Sequence, residues 1–230
     1  MNNMVLNSAT IGVVISLVAY EIGTFLKKKT KLSILNPLLI SIVMVIGFLA
    51  LFDIDYDRYN QSAKYLSYLL TPATVSLAIP LYQQIEMLKK NWIAIMIGVL
   101  SGVITSLVST LLLAAMFELS HTQYVTLLPK SITTAIGMGV SEELGGYVTI
   151  SVAVIIVTGI VGNVIGEFVC RRFRIKHPIA KGLALGTSAH AIGTTKAMEF
   201  GQLEGAMSSL AIVVAGLLTV IMASLFAMIY

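Results

Sequence analysis

Charged side chains are scarce in this chain of 230 residues: Asp, Glu, Lys and Arg make up 11% of it, against about 25% in an average soluble domain. Hydrophobic residues make up 57% and the mean hydropathy is +0.91, so water is not the main solvent of this protein. Cysteine is almost absent. Cys170 stands alone, which excludes an intrachain disulfide, and no metal-ligand spacing surrounds it. H-E-x-x-H, G-x-S-x-G, a Walker loop and paired cysteines are all missing, so neither an enzyme nor a metal or cofactor is expected. The formal charge of +4 sits in short basic clusters between apolar runs. That placement sets membrane topology more simply than it binds nucleic acid, so no nucleic-acid partner is expected. The N-terminus lacks a basic region followed by a small-residue cleavage site, and the first apolar run reads as a retained span.

Long apolar runs are what the chain has in abundance. Clear spans are 6–26, 37–52, 92–117, 147–169 and 207–230, each near the length that crosses a hydrocarbon core of about 30 Å. Asn36-Pro37 has the form of a helix start, since Asn caps and proline at the first position loses no needed hydrogen bond. Three further apolar segments, 65–82, 127–146 and 180–201, are punctuated by Pro, Gly, Ser and Thr. Pro72, Pro80, Pro129, Gly137 and Gly193 are the expected backbone breaks. A broken backbone at membrane depth must satisfy its freed N–H and C=O groups inside protein or in a wet cavity, so such segments tend to mark a pathway. The blander reading is that small residues merely let helices pack closely. The fold class is therefore an all-α polytopic membrane protein of about seven to eight hydrophobic segments, several of them broken or re-entrant.

Two broken segments align without gaps: SITTAIGMGVSEELGG (131–146) falls on TSAHAIGTTKAMEFGQ (187–202). Ala135-Ile136-Gly137 lies on Ala191-Ile192-Gly193, and a one-residue shift places Ser151 on Ser208 and Gly159 on Gly216. The expected organisation is one integral membrane domain, with N-terminal spans over 1–120 and repeat halves over 125–169 and 181–230. Orientation follows from the basic clusters Lys27, Lys28, Lys29 and Lys31; Lys89 and Lys90; and Arg171, Arg172, Arg174 and Lys176, all expected at the cytoplasmic face. That requires 127–146 to enter and leave on one side. Its partner then enters from the opposite side, making the halves inverted copies of the kind recurrent in secondary transporters.

Chemistry is confined to hydroxyls and a few ionisable groups in the breaks. Thr71 and Thr74 lie in the first. Lys130, Ser131, Thr133 and Thr134 in the second are expected to converge at mid-depth with Thr187, Ser188, His190 and Thr194 in the third, replacing the hydration shell of a small anion. Lys130 would attract its carboxylate. His190 is suited to carry a coupled proton, as imidazole titrates near about pH 6.5. Each has a plainer explanation: Lys130 can snorkel to the interface, and His190 can bond a neighbouring carbonyl. Glu142 and Glu143 read as headgroup residues, and Glu21, Asn163 and Glu167 as interhelical contacts, with a proton relay as the alternative.

The strings LTPATVSLAIPLY, TLLPKSITTAIGMGVSEELGG and AKGLALGTSAHAIGTTKAMEFG, in that order, resemble the LrgB/CidB family, and the middle string is most similar to the CidB branch. The resemblance covers nearly the whole chain. It implies a multi-pass protein of the bacterial cytoplasmic membrane, holin-like or antiholin-like, that modulates murein hydrolases and autolysis with a small LrgA/CidA-type membrane partner. Other relatives are similar to pyruvate uptake systems and to a plastid glycolate/glycerate exchanger in which the two proteins are fused. The leading expectation is thus a transporter of a small monocarboxylate, pyruvate-like or glycolate-like, acting singly or as a homo-oligomer. The competing one is a holin-like oligomeric pore or regulator.

Overall fold

The structure is a computed structural model, and it describes residues 10–30, 35–69, 72, 75–76 and 78–230. Thr71, Thr74, Lys31 and the start of the first expected span lie outside these residues. The described chain is helical: α1 (Ile11–Thr30), α2 (Pro37–Leu51), α3 (Tyr56–Ala63), a 3-10 turn (Lys64–Leu69), α4 (Ala78–Gln83), α5 (Ile85–Lys90), α6 (Trp92–Met116), α7 (His121–Leu127), α8 (Thr134–Glu143), α9 (Val148–Arg172), α10 (Pro178–Phe200) and α11 (Gln202–Ala227). It forms two compact units, Met1–Ser76 and Leu77–Tyr230. Among the described residues, α6, α9 and α11, of 25, 25 and 26 residues, are long and apolar enough to cross a membrane. Pro37–Leu51 is apolar but has only 15 residues.

In the N-terminal unit α1 packs against α2 and α3. Asn36 caps α2 as its sequence suggests, its Oδ1 accepting from the N–H of Leu38 at 2.8 Å, with Pro37 at the first helical position. Asp55 does the same for α3 through the N–H of Asp57 at 2.8 Å. Gly12 donates its N–H to Ser62 Oγ at 2.8 Å, a contact that a side chain at Gly12 would block. Pro72 is helical and exposed, and Pro80 of the second unit lies within α4.

In the C-terminal unit the buried residues of α6 (Ile95, Val99, Val103, Leu107, Thr110 and Ala114) recur every three or four positions and form one inward stripe. The outward faces are apolar too, with Val157, Val161, Ile165 and Phe168 on α9 and Val213, Leu217, Ile221 and Leu225 on α11 exposed. Contiguous apolar exposure of this kind suits a lipid surround rather than water. One end of the unit is closed by aromatics. Tyr124, fully buried, donates its hydroxyl to Phe226 O at 3.1 Å, and its ring meets Tyr230 edge-on at 5.1 Å. Tyr230 in turn donates to Leu119 O at 2.7 Å, tying the end of α11 to the α6–α7 connection.

The segment 178–200 is not a straight helix. His190 has φ 42° and ψ −137°, outside helical geometry. A Cβ on Gly193 would lie 2.5 Å from Leu185 O, whereas residues eight apart in a helix are separated by about 12 Å along its axis. The chain therefore doubles back at His190. The incoming arm runs parallel to α11, with Gly182 against Glu204 and Gly186 against Ser208; the return arm runs antiparallel, with Met198 against Gly205 and Thr194 bonded to Ser208. Each arm is about 10–12 residues and so roughly 15–18 Å long, half of a hydrocarbon core. The turn falls at His190 rather than at Gly193, which is helical and buried. Gly193 instead supplies the missing side chain that lets the arms approach.

The earlier break has the same form. Residues 128–133 connect α7 and α8, and a Cβ on Gly137 would clash with Ile155 Cδ1 and lie 3.6 Å from Pro129 O. Gly137 is likewise inside a helix, and the turn is carried by the Pro129 segment preceding it.

Gly186→Ala places a methyl 2.5 Å from the backbone oxygen of Ser208. It is expected to destabilise the purified protein by about 1–3 kcal/mol, the usual range for overpacking. Gly139→Ala, with nothing within 4 Å, is expected to be neutral or stabilising by up to about 1 kcal/mol. Thermal unfolding in detergent compares the two; equal midpoints would remove the close helix approach from the account.

Candidate functional site

Helix α6 carries Gly98, Gly102 and Ser106 at four-residue spacing, hence on one face. The first two meet the incoming arm of 178–200: a Cβ on Gly98 would lie 3.0 Å from Leu183 Cδ1, and one on Gly102 would lie 2.9 Å from Thr187 Oγ1. One turn further on, the same face meets the break between α7 and α8. Lys130 Nζ donates to Ser106 Oγ at 2.9 Å and to Ser131 Oγ at 3.4 Å, and the two serine hydroxyls are 3.0 Å apart. Ser131 is buried and Lys130 half-buried. Among the described residues the ion pairs join Arg171 and Lys196 to Glu167 and Glu199; no carboxylate pairs with Lys130. An ammonium has three N–H donors and full charge, and two neutral hydroxyls leave both partly unanswered.

Thr187, one turn of α6 away, is buried and donates to its own helix at Leu183 O, 2.8 Å, which leaves its oxygen lone pairs facing α6. Thr133 caps α8 in extended conformation with no side-chain capping bond, and Thr134 begins that helix. Both are half-buried. Ser188 stands apart: it is exposed, and its hydroxyl turns back to Ala184 O at 2.6 Å.

His190 and Thr194 form a second cluster. His190 is 3% exposed, and Nε2 lies 3.0 Å from Ile155 O. A carbonyl only accepts, so Nε2 carries the proton and donates. Thr194 donates to His190 O at 3.0 Å and thus accepts from Ser208 at 2.7 Å. At the start of α9, Ser151 donates to Thr126 O at 2.7 Å and shares a 2.7 Å bond with Ser141. Tyr147 N–H donates to Thr126 Oγ1 at 2.8 Å. Asn163 reaches across from α9 to Ile192 O at 2.8 Å and Thr195 Oγ1 at 3.0 Å, and Lys196 pairs with Glu167 at 3.0 Å. Asn163 and Glu167 are thus the interhelical contacts their spacing suggested.

Of the eight residues read from the sequence as a single site, Lys130 and Ser131 are joined directly and Thr187 lies next to them along α6. His190 and Thr194 belong to the second cluster, and among the described residues no hydrogen bond links the two. Ser106 was missed, although the G-x-x-x-G-x-x-x-S stripe that presents it is legible in the sequence. A cavity of about 390 Å³ lies elsewhere, lined by Glu167, Cys170, Arg171, Arg174, Ile175, Lys176, Lys181 and Phe200.

Residues 16–229 match the LrgB-like family. Similar curated proteins include the antiholin-like protein LrgB of Bacillus mycoides (strain KBAB4), Bacillus cereus (strain B4264) and Bacillus anthracis (strain CDC 684 / NRRL 3495). Each is 39% identical over 216 residues, covering 94% of this chain and 94% of the relative. These relatives carry the name of an antiholin-like protein and not of an enzyme. No solved structure matches.

His190 occupies a backbone region that L-residues adopt at a cost of about 1–3 kcal/mol and glycine adopts freely. Substituting glycine removes the bond to Ile155 O but relieves the backbone; alanine loses the bond and keeps the strain. The expected order of thermal stability is therefore His190→Gly above His190→Ala, by about 1 kcal/mol or more. An alanine variant as stable as the glycine one would contradict the turn at this residue.

Proposed function

The chain belongs to the LrgB-like family, and from that premise we propose that this bacterial membrane protein transports a small monocarboxylate, pyruvate-like or glycolate-like. It works with a small LrgA/CidA-type membrane partner, and its link to autolysis follows from the change in metabolism and membrane energetics. One observation carries the reading: Lys130 is half-buried in the break between α7 and α8, held by Ser106 and Ser131 and paired to no carboxylate among the described residues, and the reading puts that break at membrane depth. Ionisable groups at such depth face a bundle interior or wet cavity and pair with something. A carboxylate carried by the substrate completes the site, with one charge for one charge. The Ser106 and Ser131 hydroxyls beside it supply hydrogen bonding that replaces part of its water.

Reciprocal contacts support an inverted repeat built from 125–169 and 181–230. Gly159 of the first half lies against Ile192 of the second, with a Cβ 2.8 Å from Ile192 Cδ1; Gly216 of the second lies against Ile136 of the first, at 2.9 Å. Under the alignment Gly159 corresponds to Gly216 and Ile136 to Ile192, so the two contacts exchange under a pseudo-two-fold axis. The arms run accordingly. Gly159, Gly162 and Gly166 of α9 meet His190, Ala189 and Leu185 in descending order, so the incoming arm is antiparallel to α9 and starts at its basic end. The α7 arm runs with α9, since Thr126 contacts Tyr147 and Ser151 at the start of that helix. Hence the two breaks enter from opposite ends, and the second enters from the end bearing Arg171 and Arg172.

The name that the relatives carry, antiholin-like protein, leaves a second reading, a holin-like oligomeric pore or a regulator of murein hydrolases. A pore between copies needs a polar outward face, whereas the outward faces of α9 and α11 are apolar.

Purified protein in proteoliposomes, with and without the small partner, is expected to take up labelled pyruvate saturably. Ser106→Ala or Ser131→Ala removes a hydrogen bond to a charged group, worth about 1.5–3 kcal/mol, and should raise the half-saturating concentration about ten-fold or more. Lys130→Met should abolish saturable uptake while leaving expression intact. Passage of unrelated dyes without saturation would support the pore instead.

The proposed topology places Lys28, Lys90 and Arg171 together at the cytoplasmic face. Single cysteines at these positions in a Cys170→Ser background should all resist an impermeant thiol reagent in intact cells and react once the membrane is opened. Labelling of position 171 and position 90 from opposite sides would overturn the re-entrant arrangement.

A further inference from the structure

The cavity at the basic end of the C-terminal unit forms where the last turns of α9 meet both ends of the 178–200 hairpin. Arg171, Arg174 and Lys176 enter it from α9 and the residues just after, Lys181 from the incoming arm, and Phe200 from the end of the return arm. Arg174 stands at φ 55°, and the next N–H, of Ile175, returns to Cys170 O at 2.8 Å, so the chain curls around the cavity rather than leaving it. Glu167 is the carboxylate in the lining, and it is already engaged by Arg171 at 2.7 Å and Lys196 at 3.0 Å. Arg174, Lys176 and Lys181 have no carboxylate partner among the described residues. The Lys181 ammonium sits 5.3 Å from the Phe200 ring, with Lys196 at 5.3 Å on the same ring, which gives the site an apolar wall flanked by cations.

We propose that this cavity binds a phosphate group, presented by an anionic lipid headgroup or by a soluble phosphate ester. Three surplus cations around one space exceed what a single carboxylate neutralises. A phosphate offers several acceptor oxygens to guanidinium and ammonium donors at once. The volume of about 390 Å³ lies within the range of about 300–1,000 Å³ usual for small-molecule sites. Basic pockets at the ends of membrane helices are where anionic headgroups are held. Lys181 precedes Thr187 by about 9 Å of helix, and Ser106 lies a further turn of about 6 Å along α6, so this site is separate from the Lys130 cluster and does not depend on the transport reading.

The test uses the full chain purified in neutral detergent. Dioleoyl phosphatidylglycerol is titrated with retention read by native mass spectrometry, and glycerol 3-phosphate is titrated by calorimetry. The wild type should bind at least one probe, with affinity falling as salt rises, and Arg174→Gln/Lys181→Gln should weaken it about ten-fold or more. Lys89→Gln/Lys90→Gln, which removes exposed basic residues outside the cavity, should leave it unchanged. Loss of lipid retention in the first variant supports the site with lipid as the source; loss of glycerol 3-phosphate binding supports it with a soluble source. Should the double variant fail to fold, Lys176→Gln, an exposed single change, is read in its place. Binding of neither probe by the wild type, or equal weakening in the control, overturns the proposal.

Discussion

Hydrocarbon offers no partner to a peptide group, and the C-terminal unit is arranged around that constraint. Turning the chain at His190 and at 128–133 frees backbone groups that a continuous helix would bond internally. Polar side chains meet several of them: Asn163 and Ser151 of α9 donate to Ile192 O and Thr126 O, and Thr194, one turn beyond the kink, donates to His190 O. His190 extends the same logic outward, using its ring N–H on Ile155 O of α9. The bonds to and from α9 also fix an arm of each hairpin to a long helix. The residues that make the breaks tolerable are therefore the ones that hold the breaks in place.

Those bonds require helix backbones to come very close, which accounts for the small residues. Gly182 and Gly186 let the incoming arm approach the backbone of α11; Gly159, Gly162 and Gly166 admit the same arm against α9. Without hydrophobic drive between helices in lipid, close packing and interhelical hydrogen bonds supply the association. The glycines and the serines thus serve one arrangement, and Ser106 belongs to it as the last member of the α6 stripe, where the contact changes from packing to polar.

How much of this was legible depended on the length scale of the signal. Spans 92–117, 147–169 and 207–230 were readable because their apolar runs are as long as a membrane is thick, and α2's start because Asn36-Pro37 is a local code. The broken segments were visible from their composition. Which residue turns the chain was not. Local propensity points to Gly193 and Gly137, yet the turn near the first falls on His190, whose ring bonds Ile155 O of α9, a contact that no local pattern reveals. The partition of the polar residues into two clusters was hidden for the same reason. Thr187 and His190 are near neighbours in sequence, but one faces α6 and the other α9.

Extending the proposed alignment by one residue sets Lys130 against Gly186, and Thr134 against His190. In that alignment the halves differ at Lys130 and His190 while sharing Ser151 with Ser208, Gly159 with Gly216 and Gly137 with Gly193. Gly186, aligned with Lys130, lets the incoming arm seat on Ser208. The half without the cation carries the imidazole, buried and already donating to a carbonyl. On the proposed transport reading one half holds a negative charge and the other locks its own turn, a division that suits a carrier of a singly charged anion better than a symmetric pore.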